Sequence, residues 1–206
     1  PIANIKLYEE VLLDEGLGTA EAGEFLQKVR IQTEKLDFLL QSMVKMSRLE
    51  TGVIEVCCMK LPLCGTLLRA VAAIVPKAEK KQIRLSVDCD EDIVVNHDTK
   101  WTEEAVFNLL DNAVKYTGRG GSVGILVSVQ EIFTKISIRD SGKGIALERQ
   151  AEIFTRFYRE PEVYDQEGIG VGLYLARKII ALQDGYIQVC SEIRKGSDFQ
   201  IYLPNG

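Results

Sequence analysis

The residues with the most distinctive chemistry lie between Trp101 and Thr117, in the stretch WTEEAVFNLLDNAVKYT. Wound as an α-helix at about 100° per residue, this stretch collects polar side chains on one arc and apolar side chains on the other. The polar arc consists of Glu104, Asn108, Asp111, Asn112 and Lys115. Asparagine is unfavourable inside a helix, so two asparagines one turn apart suggest a function. Their amide oxygens and the lysine suit a hydrated metal ion and phosphate oxygens; the alternative is a solvated helix face.

A second stretch, Asp140-Ser-Gly-Lys-Gly-Ile145, places a carboxylate and two glycines after a predicted strand. The glycines, Gly142 and Gly144, would let the backbone come close to a flat ligand. The carboxylate could accept a hydrogen bond from an amino group, such as the exocyclic amine of adenine. The alternative is a simple turn, because Asp-Ser-Gly is common in turns.

A third stretch, Gly168-Ile-Gly-Val-Gly-Leu173, opens a predicted helix whose free N–H groups would favour phosphate. It lacks the context of a dinucleotide-binding motif, because it follows a polar segment and not a first strand. That segment, residues 160–167, is predicted to be a lid with the basic Arg159 at its hinge. We expect Phe154 and Phe157 to lie in the core and not against a ligand.

The first part of the chain is predicted to form two helices. Residues 1–14 make the first, and the second runs from Thr19 to about Gly52. The second helix has apolar residues with the spacing of a coiled-coil seam. The seam is Leu26, Val29, Thr33, Leu36, Leu40 and Met43, with Phe25, Leu39 and Met46 on an adjoining stripe. Stripes this wide favour a four-helix bundle with a partner chain; the alternative is packing against the rest of the same chain.

The remaining pattern predicts an α+β domain. We place a linker at residues 53–61 and the second domain at residues 62–206, after a first domain at residues 1–52. Its elements alternate between helical and strand periodicity. The predicted helices are 67–75, 101–117, 147–157 and 170–183, and the predicted strands are 83–87, 93–95, 122–130, 133–139, 186–190 and 198–203.

Composition excludes several function classes. The 206 residues carry a net charge of −5 with a pI near 5.1, which argues against nucleic-acid or anionic-membrane binding. The five cysteines contain no CxxC pair, and with the single histidine, His97, they form no zinc pattern, so we expect reduced thiols. No apolar run approaches the roughly 18 residues of a membrane span. The chain has no initiator methionine, and we expect it to be part of a longer protein.

Taken in order, these segments resemble the sensor histidine kinases of two-component signalling, a branch of the ATPase superfamily shared with gyrase, Hsp90 and MutL. The family's motifs match an N box at residues 108–117, a glycine box at 140–145, an F box at 154–159, a second glycine box at 168–173 and a last box at 196–199. The residues from Pro1 are similar to those that follow the family's phosphoacceptor histidine box. The resemblance covers nearly the whole chain.

The resemblance implies a fold and a site. The fold would be a helical hairpin, half of a dimeric four-helix bundle, followed by a mixed sheet layered on helices, the Bergerat-type ATP-binding fold. Asn112 would ligate Mg2+ with support from Asn108, Lys115 and Arg159 would reach the phosphates of ATP, Tyr116 would border the nucleotide, and Asp140 would read adenine. The other implied ligand contacts are Gly142, Gly144, Ile145, Gly168, Gly170, Val171, Gly172, Leu173 and Ser197.

The resemblance also implies partners. These are a second copy bound through residues 1–50 and the receiver domain of a response regulator. We expect this region to be cytoplasmic and the full-length protein to be anchored in the bacterial inner membrane through other segments. His97 is not in a phosphoacceptor setting, so we expect it to be structural and the acceptor histidine to lie outside these residues. Without its own acceptor, the chain should not phosphorylate itself.

Two other functions stay open. The first is a hydrolytic ATPase of the gyrase or Hsp90 type, which would carry a water-activating glutamate where this chain has Asn108. The second is a dimerisation module with an inactive nucleotide site. Ile169 keeps the second hypothesis open, because it stands where the family usually has serine or threonine.

Overall fold

The structure is a computed structural model that describes residues 2–12, 19–53, 55–158 and 170–205. The chain divides into two compact units, Pro1–Ile54 and Glu55–Gly206. Both helices and strands are present in the second unit, and the predicted α+β class is confirmed. None of the described helices is long and apolar enough to cross a lipid bilayer.

The first unit consists of two helices. Helix α1 spans Ile2–Leu12 and helix α2 spans Thr19–Glu50. The helices contact each other through the rings of Tyr8 and Phe25, whose centroids are 6.0 Å apart. The connection at residues 13–18 lies outside the described residues, as does the end of the helix predicted at residues 1–14.

The second unit is built around a five-stranded mixed sheet. Its strands are β2 (Arg84–Asp88), β4 (Ser122–Val129), β5 (Phe133–Asp140), β6 (Tyr186–Glu192) and β7 (Gly196–Pro204), in the order β2-β4-β5-β7-β6. Strands β2 and β4 are parallel, and the other neighbours are antiparallel. The register pairs Asp140 with Ser197, which brings the end of β5 to the start of β7. A separate antiparallel pair joins β1 (Met59–Pro62) to β3 (Val94–His97).

Three helices pack with this sheet. They are α3 (Leu63–Lys80), α4 (Thr99–Tyr116) and α5 (Gly172–Ala181). The apolar side of α4 is buried at Val106, Leu109 and Leu110, as predicted from its periodicity. Strand β5 buries Ile136 and Ile138 in the same core. Each of these side chains stabilises the fold by about 1.5–3 kcal/mol through burial. Because the apolar side of α4 is buried in the core, its polar side is left outside the core.

The start of α4 differs from the prediction. The helix begins at Thr99, where the carboxylate of Asp98 accepts a hydrogen bond from the N–H of Trp101 at 3.0 Å and caps the helix. His97 is the last residue of β3. Residues 59–61, which were predicted as part of the linker, belong to strand β1, because residues 59–62 pair with β3.

Two further helices differ from their predicted bounds. The helix predicted at 147–157 is replaced by two 3-10 turns, Leu147–Arg149 and Glu152–Phe154. Ile153 and Phe154 are consecutive and both buried. Two short 3-10 turns allow this, whereas an amphipathic α-helix would bury residues spaced three or four apart. Helix α5 begins at Gly172, two residues later than predicted, because Gly170 has a left-handed φ of +77°.

Candidate functional site

Helix α4 contacts both glycine-rich stretches. A Cβ atom placed on Gly172, at the start of α5, would lie 3.0 Å from the amide oxygen of Asn108. A Cβ atom placed on Gly142 would lie 2.7 Å from the carbonyl oxygen of Tyr116, two turns further along α4. The fold therefore brings together the three stretches that the sequence singled out, and Asn112 lies on α4 between these two contacts.

The two asparagines of α4 present amide oxygens. The Asn108 amide nitrogen donates to the carbonyl oxygen of Glu104 at 2.8 Å, which directs the amide oxygen away from the helix backbone and towards Gly172. The side chain of Asn112 is half-buried and makes no hydrogen bond within the described residues. Amide oxygens are hard ligands that suit Mg2+ when phosphate oxygens and waters complete its shell. The described residues contain no cluster of three acidic, cysteine or histidine side chains that could hold a metal instead.

Asp140 is held as a hydrogen-bond acceptor at the end of β5. Its carboxylate accepts the N–H of Gly142 at 2.8 Å, and also the N–H and hydroxyl of Ser197. Burial raises the pKa of Asp140, whereas these hydrogen bonds act to lower it and the charge of Asp198 raises it further. Ser197 therefore orients Asp140, and its predicted contact with the ligand stays a prediction.

The glycine loop at residues 140–145 is packed onto the turn between β6 and β7. Gly144 has a φ of +72°, and a Cβ atom there would lie 2.0 Å from the carbonyl oxygen of Glu192. The N–H of Ile145 donates to the Ser191 hydroxyl at 2.8 Å, and the Gln150 amide donates to the Ser191 carbonyl oxygen at 2.8 Å. Gly144 is thus required by the fit of two protein segments. Ser191 and Gln150 were missed because no local pattern places them beside the loop.

Two lysines provide local positive charge. The ammonium groups of Lys115 and Lys143 lie 4.9 Å and 5.2 Å from the centre of the Tyr116 ring. A cation over an aromatic face is attracted to it, and two cations on one ring make this edge of the site positive in a chain of net charge −5. Lys115 and Tyr116 were predicted from the sequence, whereas Lys143 was not, although its position between Gly142 and Gly144 was an available signal.

The second glycine stretch is tied to the segment before it. A Cβ atom on Gly170 would lie 2.3 Å from the carbonyl oxygen of Tyr158, and the N–H of Phe157 donates to the Gly170 carbonyl oxygen at 2.9 Å. Val171 is buried at 3% exposure, so its side chain belongs to the core, and Leu173 is half-buried.

The F-box residues divide between core and surface. Phe154 is buried and packs edge-to-face on Phe199, so the core prediction is confirmed for Phe154. It is wrong for Phe157, which is 48% exposed and has a φ of +61°. Outside the described residues lie the predicted ligand contacts Arg159 and Gly168, the predicted lid at 160–167, and Ile169, which stands where the family usually has serine or threonine.

His97 is a core residue. Its side chain is fully buried, with Nδ1 2.9 Å from the carbonyl oxygen of Val95 and Nε2 3.0 Å from the hydroxyl of Thr66. A carbonyl oxygen only accepts, so Nδ1 donates to Val95, and Nε2 shares a hydrogen bond with the Thr66 hydroxyl. Both ring nitrogens are satisfied inside the protein, in agreement with a structural role.

The chain is similar to a known protein family and to curated proteins. Residues 97–206 match the family described as histidine kinase-, DNA gyrase B-, and HSP90-like ATPase. The sensor protein kinase PmrB of Pseudomonas aeruginosa is 31% identical over 205 residues, which cover 99% of this chain and 43% of PmrB. The chain thus spans less than half the length of PmrB, and about half or less of the other curated relatives it matches.

Solved structures show the same fold. The histidine kinase AdeS of Acinetobacter baumannii superimposes with a TM-score of 0.82 at 21% identity, over 100% of this chain and 95% of AdeS. Full-length ShkA in complex with AMPPNP gives a TM-score of 0.76 at 25% identity, over 98% of this chain and 42% of ShkA.

Proposed function

Because the chain belongs to the family of histidine kinase-, DNA gyrase B- and HSP90-like ATPases, we propose that it is the kinase region of a two-component sensor histidine kinase. In this role it binds Mg-ATP and donates the γ-phosphoryl group to a histidine, for relay to an aspartate in the receiver domain of a response regulator. The similarity to PmrB over almost the whole chain favours this branch of the family. This region acts in the cytoplasm, and other segments anchor the full-length protein in the membrane.

One observation supports the proposal most directly. The N-box helix α4 lies against both glycine boxes, with Asn108 at Gly172 and Tyr116 at Gly142. This arrangement supports a nucleotide site on the polar side of α4, where Asn108, Asn112 and Lys115 lie on the helix and the Asp140 carboxylate at the end of β5 is proposed to recognise the purine. The two amide oxygens suit a magnesium ion because they are neutral, hard ligands that accept no hydrogen bond within the described residues.

Each residue has a proposed part in binding. Asp140 accepts a hydrogen bond from the adenine amine, and Tyr116 borders the nucleotide. Lys115 neutralises phosphate oxygens together with Arg159. Asn112 and Asn108 would hold Mg2+, which would neutralise phosphate charge when bound.

The backbone around the nucleotide contributes space and donors. Gly142, Gly144 and Ile145 form the loop beside adenine. Gly168 and Gly170 allow the segment before α5 to approach the phosphates, and the N–H groups of Gly172 and Leu173 at the start of α5 favour their negative charge. Val171 and Ser197 support this arrangement from the core.

Phosphoryl transfer is favoured over hydrolysis by the chemistry of Asn108. A hydrolytic ATPase needs a base to activate water, and a carboxamide cannot accept a proton at neutral pH. Its nitrogen is also engaged with the carbonyl oxygen of Glu104. The site can therefore orient and neutralise a phosphoryl group while leaving water poorly activated.

The acceptor histidine is supplied from elsewhere. The sequence contains one histidine, and His97 is fully buried with both ring nitrogens bonded. A phosphoryl acceptor must approach the γ-phosphate in line with its leaving oxygen, which a buried imidazole cannot do. This chain on its own therefore binds Mg-ATP without phosphorylating itself on histidine.

Residues 1–50 mediate homodimerisation in this proposal. Leu26, Leu40 and Met43 of the predicted seam are 59%, 55% and 49% exposed. The adjoining stripe is more covered, with Met46 at 5%. An exposed apolar stripe along a 32-residue helix needs a partner, and a second copy of the same helix supplies a matching stripe.

The proposal is tested by phosphoryl labelling in trans. The chain is incubated with γ-labelled ATP, Mg2+ and a kinase-inactive partner that carries the family's phosphoacceptor histidine and Asn112→Ala. Acid-labile, base-stable label is expected on the partner only, and only when both chains are present. Label on the isolated chain would contradict the assignment of His97, and sustained phosphate release without labelling would favour the hydrolytic ATPase.

A further inference from the structure

The side chain of Gln183 joins two helices away from the proposed ligand contacts. Gln183 follows the last turn of α5 and is 2% exposed. Its side-chain oxygen accepts hydrogen bonds from the backbone N–H of Asp98 at 2.8 Å and from the hydroxyl of Thr102 at 3.1 Å. Asp98 is the N-cap of α4, and Thr102 lies in its first turn. One buried amide therefore connects the end of α5 to the beginning of α4.

The orientation of this amide is fixed by its neighbours. A backbone N–H can only donate, so the atom that faces Asp98 is the oxygen of Gln183. The amide nitrogen donates to the carbonyl oxygen of Ile179, in its own helix, at 3.4 Å. The thiol of Cys58 donates to the same Gln183 oxygen at 3.9 Å. Burial raises the pKa of Cys58 and the charge of Asp98 raises it further, so this thiol keeps its proton and remains a donor.

A second contact joins the same two helices beside the candidate site. Gly172, the first residue of α5, faces Asn108, whose amide oxygen would lie 3.0 Å from an added Cβ atom. The two helices are therefore antiparallel, with a contact at each end of α5. Along α4, Asp98 and Asn108 are about 15 Å apart. Along α5 and the residues that follow it, Gly172 and Gln183 are separated by nearly the same length, roughly 16 Å. Because the two spacings match, both contacts form in one register of the helices.

We propose that Gln183 is a positioning residue for the phosphate side of the site, because its amide fixes the register of α5 against α4 and so places Gly172 beside Asn108. This role rests on the proposed kinase function, in which the N–H groups at the start of α5 meet phosphate and the amide oxygen of Asn108 meets Mg2+. Gln183 is not among the residues proposed to contact ATP. It acts through the two helices that it connects.

The polar character of this buried position supports a positioning role. An apolar side chain of similar size would fill the same space, but apolar contacts have no preferred direction. A hydrogen bond weakens steeply when it is bent or stretched. Two donors from α4 that converge on one oxygen of Gln183 therefore restrain α5 both along its axis and around it. Loss of this oxygen leaves the N–H of Asp98 and the hydroxyl of Thr102 without their acceptor inside the core.

The two ends of the proposed nucleotide site should respond differently to a shift of α5. The N–H groups at the start of α5 and the amide oxygen of Asn108 serve the phosphates together only while Gly172 stays against Asn108. The base is proposed to bind at Asp140, which is held by hydrogen bonds from Gly142 and Ser197. Loss of the Gln183 amide should therefore weaken phosphate binding and spare base binding.

The test compares affinities for Mg-ATP and for adenosine in the wild type and in Gln183→Met. Titration calorimetry is done at a temperature where thermal unfolding shows both proteins to be folded. Methionine has a similar length but no strong acceptor, so the variant keeps the packing and loses the two hydrogen bonds. The affinity for Mg-ATP should fall by about tenfold, whereas the affinity for adenosine should stay within about twofold of the wild type.

Two further variants separate positioning from stability. Thr102→Val removes one donor and keeps the bond from Asp98, so it should lower Mg-ATP affinity in the same direction but by less. This variant decides the question if Gln183→Met does not fold. Thr134→Val is the matched control, because the buried Thr134 hydroxyl donates to Asn205 at 2.7 Å in β5, which is not part of the α4–α5 contact. It should lower stability and leave the ratio of the two affinities unchanged.

Two-dimensional amide NMR of the nucleotide-free chain tests the register without a ligand. Gln183→Met should shift the resonances of the Gly172 backbone amide and of the Asn108 side-chain amide, which lie at the other contact between the helices. Thr134→Val should leave both resonances in place. Changes confined to residues 98–102 and 179–185 would limit Gln183 to local packing.

The binding data can also overturn the positioning role. One such result is a folded Gln183→Met that binds Mg-ATP as tightly as the wild type. The other is an equal loss of affinity for Mg-ATP and for adenosine, which indicates general loosening of the fold. A wild type that does not bind Mg-ATP would instead reject the proposed kinase function, and the NMR comparison would then decide by itself whether Gln183 sets the register of the two helices.

Discussion

The side-chain nitrogen of Lys81 lies 2.7 Å from the backbone carbonyl oxygen of Lys115. The same ammonium group also donates to the carbonyl oxygens of Val114 and Thr117, at 2.9 Å and 3.2 Å. These carbonyls belong to the end of α4, where a helix has unpaired acceptors and the negative end of its dipole. Lys81 thus caps the part of the N-box helix that carries Lys115 and Tyr116.

We expect Lys81→Met to weaken Mg-ATP binding under conditions where the variant is fully folded. Loss of the charged cap costs about 1–3 kcal/mol of unfolding free energy and lets the last turn of α4 fray, which displaces Lys115 and Tyr116. Lys81→Arg should restore much of the affinity, because the guanidinium group still donates to the carbonyls. Titration calorimetry beside thermal unfolding separates the effects: lowered stability with unchanged affinity would limit Lys81 to a folding role.

Asn112→Ala should remove the Mg2+-dependent part of ATP affinity, by at least about tenfold or 1.4 kcal/mol. Stability should be unchanged or slightly higher, because Asn112 makes no hydrogen bond within the described residues and alanine is the better helix former. The matched control is Asp111→Ala on the same helix, which breaks a surface ion pair with Lys77 and should leave ATP affinity intact. Equal affinity of Asn112→Ala and wild type in Mg2+ and in EDTA would exclude the metal role.

Asp140→Asn should lower the preference for ATP over GTP by about tenfold, or 1.4 kcal/mol. An asparagine offers a donor where the carboxylate offers only acceptors, and the adenine amine needs an acceptor. Asp198→Asn is the control, since its carboxylate binds Arg139 and Gln200 and should not contact the base. Competition binding with both nucleotides measures the ratio, and an unchanged ratio would count against base recognition by Asp140.

The pKa of Asp140 predicts opposite pH trends for stability and binding. Because burial raises this pKa above its ordinary 3.8, the folded chain holds the proton more tightly than the unfolded chain. The contribution of Asp140 to stability is therefore largest when it is protonated and is lost as the pH rises through the raised pKa. Adenosine affinity should instead fall on acidification, starting at a pH above 3.8, and the Asp140→Asn variant should lack this dependence. If the affinities of the wild type and of Asp140→Asn for adenosine changed with pH in the same way, base recognition by Asp140 would be refuted.

Leu40→Glu should convert a dimer into a monomer at tens of micromolar chain without changing Mg-ATP affinity. Leu40 is 55% exposed on the predicted seam, and a charge there opposes burial against a second copy. Ile132→Glu is the matched control, because Ile132 is 67% exposed in the other unit and should leave the mass unchanged. Light scattering decides the point; a monomeric wild type at this concentration would contradict dimerisation through residues 1–50.

Several features of this protein follow from the sequence alone. The 3.6-residue period of residues 101–117 divides α4 into an apolar and a polar side, since only one side of such a helix can be buried. Strand alternation likewise identified β4 and β5. The N box and the glycine boxes resemble one family in content and order, which local chemistry explains: glycines for close approach, amides and a carboxylate for oxygen and amine contacts.

Other features depend on contacts between residues far apart in the chain. Ser191, Gln150 and Ser197 hold the glycine loop and Asp140 because β6 and β7 fold back beside β5, and no local pattern encodes that pairing. Gly144 and Gly196 are required by close approach to Glu192 and Asp140, which appears only when the strands are assembled. Lys81 reaches the end of α4 from the end of α3. Local periodicity determines which side of each element is buried, whereas tertiary packing decides which distant side chains share a site, because those contacts depend on the order and register of the strands.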